Sequence, residues 1–254
     1  MKIMELWQFP IKGFGGSKKE FATLTPNGYF PNDRHFAISV GHAKTSSANS
    51  GTWFPKAHFL QLMLHARAAE YTCNYEVDGS KQRLELLQQD KSCLCINPAI
   101  EGERKEFEDF IATRFTDQLL GKPRLMKSKN QAYTDQSTPL ISIASKASLK
   151  AFANATNTFL DNRRFRINII TDSENAFAEA EMIGKTIKCG KALLLVEKPV
   201  GRCAAINVDP ETACRSNQDY VSFMREYFGH SNLGVFAKVL NGGTIGVGDT
   251  LRQE

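Results

Sequence analysis

The chain has no apolar segment of membrane-spanning length, since none of its apolar runs approaches the roughly 18 residues that a bilayer requires. Its first residues, Met1 to Trp7, also lack the long apolar stretch and the small-residue cleavage site of a secretory signal. These absences predict a soluble, cytoplasmic protein without a membrane partner.

Cysteine motifs for metal binding are absent as well. The six cysteines include no Cys-x-x-Cys pair and no zinc-type spacing with histidine. Cys93 and Cys95 alternate as on a strand, and we expect two unpaired thiols there. The sequence also contains no Walker loop, no Gly-x-Ser-x-Gly turn and no His-Glu-x-x-His helix.

Charge of one sign is not concentrated anywhere in the chain. Lysine and arginine number 32 against 27 acidic residues, and the resulting formal charge of +5 is scattered. A nucleic-acid-binding face needs a denser basic stripe. We therefore expect no nucleic-acid partner, whereas a small anionic ligand held by a few cations suits the excess.

The patterns that are present indicate a β-rich protein. Short alternating runs fill the first hundred residues, and Asn27-Gly28 predicts a hairpin turn. Residues 103–120 carry apolar side chains at three- and four-residue spacing, which predicts an amphipathic helix. A polar stretch follows at 127–131. The prediction is an α+β fold with one domain at 1–125 and a second at 126–254.

The second half mixes strands and helices. Strands are predicted at 166–171 and 193–198, and helices are expected to begin at Ser145 and Ser216. Residues 233–240 and 244–251 flank a glycine pair and predict a final hairpin. The run at 242–248 is similar to a phosphate cradle, but it precedes no helix pattern. A turn feeding a strand is the better interpretation.

Cys203 is the most informative single residue. It follows Arg202 in a segment between an apolar run and the turn-forming Asp209-Pro210. A neighbouring guanidinium favours the thiolate, which is the form that binds soft metals and attacks electrophiles. The alternative is a buried cysteine that packs as a small hydrophobe.

Landmarks in the second half resemble those of the MOSC domain, which is named for the C-terminal part of molybdenum-cofactor sulfurase. Two of them are Asn162-Arg-Arg-Phe-Arg166 and Gly201-Arg-Cys203. The full series lies in order at residues 133–135, 139–149, 162–169, 176–179, 183–186, 201–203, 208–210 and 242–249. Four places depart from the usual pattern. Gly13 stands in place of a serine, Ile167 in place of a proline, Val200 in place of the first cysteine of a Cys-x-Arg-Cys motif, and residues 180–182 lack the usual acidic-x-Trp.

The first half resembles the β-barrel domain that precedes MOSC in the molybdenum-containing amidoxime-reducing proteins and their bacterial relatives. The matching segments lie at 6–12, 33–36 and 54–60. The resemblance implies an N-terminal β-barrel-like domain followed by a MOSC-type mixed β-barrel with peripheral helices. It also implies a molybdenum cofactor, Mo-molybdopterin, and pyridoxal phosphate is not expected.

The resemblance implies a role for individual residues. Cys203 would be the metal ligand and the catalytic residue, with Arg202 beside it. The expected cofactor-binding residues are Lys12, Arg34, Ser145, Arg166, Asn168 and Arg202. Simpler interpretations remain open, because Arg202 and Lys12 would also suit solvated surface positions and Ser145 would suit a helix cap. Asp135 and Asp209 are candidates for ordering loops or for a polar role near the metal.

The function implied by the family is reduction of N-hydroxylated small molecules at a cysteine-ligated oxo-molybdenum centre. No four-cysteine iron–sulfur pattern occurs, so the electrons are expected from a separate electron-transfer protein. Two alternatives use the same residues: a sulfur carrier with a persulfide on Cys203, and a non-catalytic protein that binds or carries the cofactor.

Overall fold

A computed structural model describes residues 1–41, 54–129, 132–136 and 138–254. The strands of the first half are β1 (Ile3–Gln8), β2 (Ser17–Lys19), β3 (Phe21–Leu24), β4 (Phe36–Ile38), β5 (Tyr71–Asp78), β6 (Lys81–Gln88), β7 (Lys91–Ile96) and β8 (Leu125–Lys127). Those of the second half are β9 (Ile141–Ser145), β10 (Ile169–Thr171), β11 (Thr186–Cys189), β12 (Ala192–Gly201), β13 (Asn232–Asn241), β14 (Gly243–Gly246) and β15 (Leu251–Gln253). This content confirms the expected β-rich, α+β class.

Three α-helices accompany the strands in the described residues: α1 (Glu101–Arg114), α2 (Lys146–Thr156) and α3 (Tyr220–Phe228). Ser145 caps α2 by accepting a hydrogen bond from the backbone N–H of Ser148 at 3.1 Å. The predicted start of α3 at Ser216 is wrong, because the Asp219 carboxylate is the cap and accepts from Val221 N. None of the helices in the described part of the chain is long and apolar enough to cross a membrane.

The main sheet has eight strands in the order β15-β11-β12-β13-β9-β10-β1-β2. All neighbours are antiparallel except β9 and β10, which run parallel. A core cluster of aliphatic side chains covers one side of it, with Leu194, Val196, Ile143 and Val235 at or near zero exposure. An isolated bridge between Lys2 and Thr250, with hydrogen bonds between Met1 and Leu251, links the start of the chain to β15. No continuous ladder of the described residues closes the sheet there, so no closed barrel is assigned.

The two halves of the chain share sheets. Strand β1 pairs with β10, and β3 pairs with β14. Ile3, Leu6, Ala22 and Leu24 belong to the same core cluster as the second-half strands. The division at residue 125 remains a prediction, and the first strands of the chain are hydrogen-bonded across it.

A second core lies in the first half. Strands β5, β6 and β7 form an antiparallel sheet, and α1 packs on it through the buried Phe107 and Ile111. The helix predicted at 103–120 is therefore present, but it ends at Arg114 and is followed by a short 3-10 turn, Thr116–Gln118.

Both predicted hairpins are wrong. Strand β3 pairs with β14 and β4 pairs with β8, so Asn27-Gly28 does not join paired strands. At the other end of the chain, β13 lies between β12 and β9 in the main sheet, whereas β14 pairs with β3. Gly242 and Gly243 lie at the corner between the two sheets. Glycine is needed at both positions, because a Cβ would lie 2.6 Å from the backbone oxygen of Leu24 or of Lys191 respectively.

Candidate functional site

A cavity of about 460 Å³ lies where the two halves of the chain meet. It is bounded by the segment after β1, by residues 133–136, by residues 164–168 and by the end of β12. Its charged lining residues are Lys12, Asp33, Arg34, Asp135, Arg164, Arg166, Lys198 and Arg202. Six cations against two carboxylates make this cavity strongly positive.

Cys203 lines the same cavity and its side chain is exposed. The residue follows β12 and immediately precedes a 3-10 turn, Ala204–Asn207, with its own backbone extended at φ −119°. The interpretation of Cys203 as a buried apolar residue is therefore wrong. An exposed thiol in a cationic cavity is available to a metal or an electrophile.

Arg202 is anchored rather than solvated. Its Nε donates to the carbonyl oxygen of Leu233 at 3.0 Å, Nη2 donates to the same oxygen, and Nη1 donates to that of Phe165 at 2.9 Å. Its guanidinium lies 5.5 Å from the Phe165 ring centroid. Loss of hydration lowers the pKa of Arg202 to about 9. The group remains a fixed cation at neutral pH.

Arg166 does not lie on a strand, contrary to the prediction for 166–171. It follows the 3-10 turn Asn162–Phe165, has a left-handed backbone at φ 53°, and precedes β10. Its Nη1 donates to the carbonyl of Phe14 and its Nη2 to that of Ile11 at 3.3 Å. Loss of hydration, followed by the nearby charge of Arg34, lowers its pKa to about 9.

Arg34 completes a pair of guanidinium groups around one aromatic ring. The Cζ atoms of Arg34 and Arg166 lie 5.0 and 4.6 Å from the centroid of Phe9. Arg34 is ion-paired with the buried Asp33 and donates to the carbonyl of Arg166 at 3.0 Å. Asp33 in turn accepts from the backbone N–H of Phe9 at 2.8 Å. The two arginines are therefore held at one place from opposite halves of the chain.

Lys12 adds a third cation beside them. Its Nζ donates to the carbonyl of Tyr133 at 3.1 Å and to the Asp135 carboxylate at 2.9 Å. Burial lowers the pKa of Lys12, and the charges of Arg34 and Arg166 lower it further, while Asp135 opposes them. The alternative that Lys12 occupies a solvated surface position is wrong, because its side chain is only 12% exposed.

Asn168 lines the cavity, but its amide is already engaged. Oδ1 accepts from the backbone N–H and the hydroxyl of Ser142, and Nδ2 donates to the carbonyl of Trp7 at 3.3 Å. Asn168 is only 2% exposed. It joins β9 to β1 and shapes the wall, with little capacity left for a ligand.

Ser145 lies away from the cavity and is fully buried. Its hydroxyl caps α2 and bonds to the hydroxyl of Ser148, which donates to the buried Glu179 at 2.9 Å. Oε1 of Glu179 has no partner among the described residues. Direct cofactor contact by Ser145 does not fit this geometry, and the helix-cap interpretation does.

Three residues of the cavity were not singled out from the sequence. Arg164 donates to the carbonyls of Ile206 and Val208 and to the Asp209 carboxylate, at 2.9, 3.0 and 2.6 Å. It thereby fixes the loop that follows Cys203. Asp209 orders that loop, as expected. The signal for Arg164 in the sequence was the arginine pair at 163–164.

Tyr133 has a buried hydroxyl without a partner among the described residues, and burial raises its pKa to about 12. Lys198 gave no signal, because nothing in a sequence marks a lysine as lining a cavity.

Other candidate chemistry is not supported. The described residues contain no cluster of three or more His, Cys, Asp or Glu side chains that would hold a metal. The glycine run at 242–248 contains β14 itself and the turn that follows it, and its amides at 246, 247 and 248 are all bonded within the protein. Cys93 and Cys95 are exposed and unpaired.

Comparison with known proteins gives one family. The family model of the MOSC domain matches residues 130–252. No match was found among curated proteins. Among solved structures, YiiM from Geobacillus stearothermophilus is 16% identical over 45% of this chain and 53% of its own, with a TM-score of 0.35. YiiM from Escherichia coli is 18% identical over the same shares at 0.35. The match thus spans about half the length of YiiM.

A longer alignment is found with the YUAD protein of Bacillus subtilis. It is 14% identical, covers 98% of this chain and 93% of the other, and has a TM-score of 0.45.

Proposed function

Because residues 130–252 of this chain are a MOSC domain, we propose that the protein binds the molybdenum cofactor with Cys203 as the metal ligand. We further propose that it is a cofactor-dependent reductase of N-hydroxylated small molecules, supplied with electrons by a separate redox protein. The observation that carries the proposal is the exposed Cys203 thiol in a cavity with six cations and two acids.

The donor set fits such a cofactor. A soft thiolate suits a soft metal, and a phosphate-bearing pterin needs cations that are already in place. Lys12, Arg34 and Arg166 would face the anionic part, and Cys203 would hold the metal. When bound, the group supplies two-electron oxygen-atom chemistry, and the protein supplies ligation, charge and access.

The arginines stabilise the site because they do not need to reorganise. Arg166 and Arg202 are tied to backbone carbonyls and stacked on Phe9 and Phe165. Because these side chains are already fixed, they lose little conformational entropy when an anion binds.

The proposed reaction is balanced by two electrons and two protons. The N–O bond of the N-hydroxylated substrate breaks, the nitrogen keeps one hydrogen in place of the hydroxyl group, and the oxygen leaves as water. The electrons come from an external electron-transfer protein, and the protons come from solvent, which reaches the exposed Cys203 side.

A sulfur-carrier function is the second candidate, because the same exposure of Cys203 would let a persulfide donor reach the thiolate. In that reaction the outer sulfur of the donor persulfide transfers to Cys203 and the donor leaves as a thiolate. The third candidate is a protein that carries the cofactor, since a cationic cavity would also suit a cofactor that is held without catalysis.

Metal analysis of Cys203→Ala tests the proposal, with Cys214→Ala as the matched control. Cys214 is also an exposed free thiol but does not line the cavity. After expression with cofactor biosynthesis intact, we expect stoichiometric molybdenum and pterin in the wild type and in Cys214→Ala. Cys203→Ala should lose molybdenum, and with it the reduction of benzamidoxime by reduced methyl viologen.

Three outcomes separate the candidates. Normal molybdenum in Cys203→Ala would refute the ligand role. Cyanide-labile sulfur without molybdenum in the wild type would support the sulfur carrier. Full molybdenum and pterin without reduction of any N-hydroxylated compound would support the carrier of the cofactor.

A further inference from the structure

Lys198 and Phe236 form a charged and aromatic rim on the cavity. They lie directly opposite each other in the pairing of β12 with β13, and the ammonium nitrogen is 6.0 Å from the ring centroid. On the other side, Phe236 lies opposite Ser142 of β9. Both rim residues line the cavity that contains Cys203.

A β-bulge places Lys198 on this face. Val196 lies opposite Ala237, and Lys198 lies opposite Phe236, so Glu197 is an extra residue in β12. In a regular strand Lys198 would lie on the same face as the fully buried Val196. The bulge directs it to the cavity face instead, which is a common use of bulges next to binding sites.

Lys198 differs from the other cations of the cavity in its contacts. Lys12, Arg34, Arg164, Arg166 and Arg202 each donate hydrogen bonds to carbonyl or carboxylate oxygens of the protein. Lys198 is exposed and makes no hydrogen bond or ion pair with any described residue, only its contact with Phe236. Its three donors are therefore free to exchange water for an anion.

We propose that Lys198, supported by the face of Phe236, is a specificity-determining residue that binds an anionic group of the substrate. The site then prefers N-hydroxylated compounds that carry a carboxylate or a comparable anion beside a planar apolar body. The reaction of that substrate rests on the proposed function, whereas the binding preference rests on the cavity alone.

The kinetic test compares Lys198→Gln with the wild type on 4-carboxybenzamidoxime and on neutral benzamidoxime. Loss of one exposed charge contact should raise KM for the carboxylate compound about fivefold. We expect kcat to be unchanged for both compounds, and KM for benzamidoxime to be unchanged. Lys198→Arg, which keeps the charge, should restore most of the preference. An equal change for the two compounds would overturn the proposal.

The binding test needs no turnover. Cofactor-free protein is titrated with 4-carboxybenzamide and with benzamide, which cannot be reduced at nitrogen, and the affinities are measured by calorimetry. The wild type should bind the carboxylate compound more tightly, added salt should weaken that preference, and Lys198→Gln should reduce it about fivefold. Equal affinities of the wild type for the two compounds would overturn the proposal.

Two results separate this inference from the proposed function. If the wild type reduces neither amidoxime but the carboxylate preference still depends on Lys198, the reductase proposal fails and the assignment of Lys198 stands. If Lys198→Gln loses molybdenum and pterin, Lys198 holds the cofactor, and its assignment to the substrate is wrong.

Discussion

Arg202 and Cys203 are adjacent in the chain but have opposite environments. The guanidinium is half-buried and held by two backbone carbonyl oxygens, whereas the thiol is exposed. Strand β12 ends at Gly201 and the 3-10 turn begins at Ala204, so Arg202 and Cys203 lie in the short link between these two elements. A fixed cation therefore lies beside a thiol that a ligand can reach.

Lys12 provides a test of the cavity charge through pH. Its pKa is lowered by burial and by Arg34 and Arg166, so its charge is lost at a lower pH than that of an ordinary lysine. Sulfate affinity should therefore fall as pH rises from neutral into the alkaline range. Sulfate is a suitable probe because its own charge does not change over that range. Calorimetry of the cofactor-free protein measures this.

Lys12→Arg is the matched variant, since an arginine at this position keeps its charge to a higher pH than a lysine does. The decline in sulfate affinity should move to higher pH in this variant, with unchanged circular dichroism. An identical pH profile in the two proteins would mean that Lys12 does not contribute to anion binding.

Strand β13 connects the main sheet to the site. It lies between β12 and β9, it carries Phe236 at the cavity, and the carbonyl of Leu233 accepts from Arg202. Its next residue, Gly234, has a left-handed backbone at φ 85°, and a Cβ there would lie 2.6 Å from the carbonyl oxygen of Ile143 in β9. Glycine at 234 is therefore needed for both conformation and space.

Gly234→Ala should lower the free energy of unfolding by about 2–4 kcal/mol, because backbone strain of about 1–3 kcal/mol is joined by a clash with β9. Gly184→Ala is the control, since Gly184 has a similar φ of 82° but nothing within 4 Å of its Cβ position. It should cost only about 1 kcal/mol. Equal losses for the two variants in urea denaturation would show that the contact with β9 is unimportant.

The cavity belongs to the whole molecule rather than to either half. Arg166 of the second half donates to Ile11 and Phe14 of the first half. Lys12 and Arg34 of the first half donate to Tyr133 and Arg166 of the second. Strands β1 and β3 also pair with β10 and β14. The charge of the site and the completeness of the main sheet therefore depend on the same contacts.

We expect a fragment of residues 126–254 to lack a cooperative thermal transition and to bind no sulfate. Without β1 it would expose an edge of β10, and the core cluster would lose Ile3, Leu6 and Leu24. Calorimetry of the fragment against the full chain measures both properties. A fragment that melts cooperatively and binds sulfate as the full chain does would contradict this dependence.

The sequence by itself determined the β-rich α+β class, the cap at Ser145 and the family, because these depend on local patterns and on motif residues near each other in the chain. Sequence reasoning failed for the two hairpins and for the strand at Arg166. At both predicted hairpins the glycines lie in segments that pass from one sheet to another. Which strands pair depends on contacts between residues distant in the sequence.

Only the tertiary structure decided which cations face the thiol. Lys12, Arg34 and Arg166 come together because β1 and β10 pair and because Phe9 accepts both guanidinium groups. Lys198 reaches the cavity through a bulge in β12, and Ser145 is removed from it by burial beneath α2. Side-chain direction and burial arise from long-range packing, which no short segment of sequence specifies.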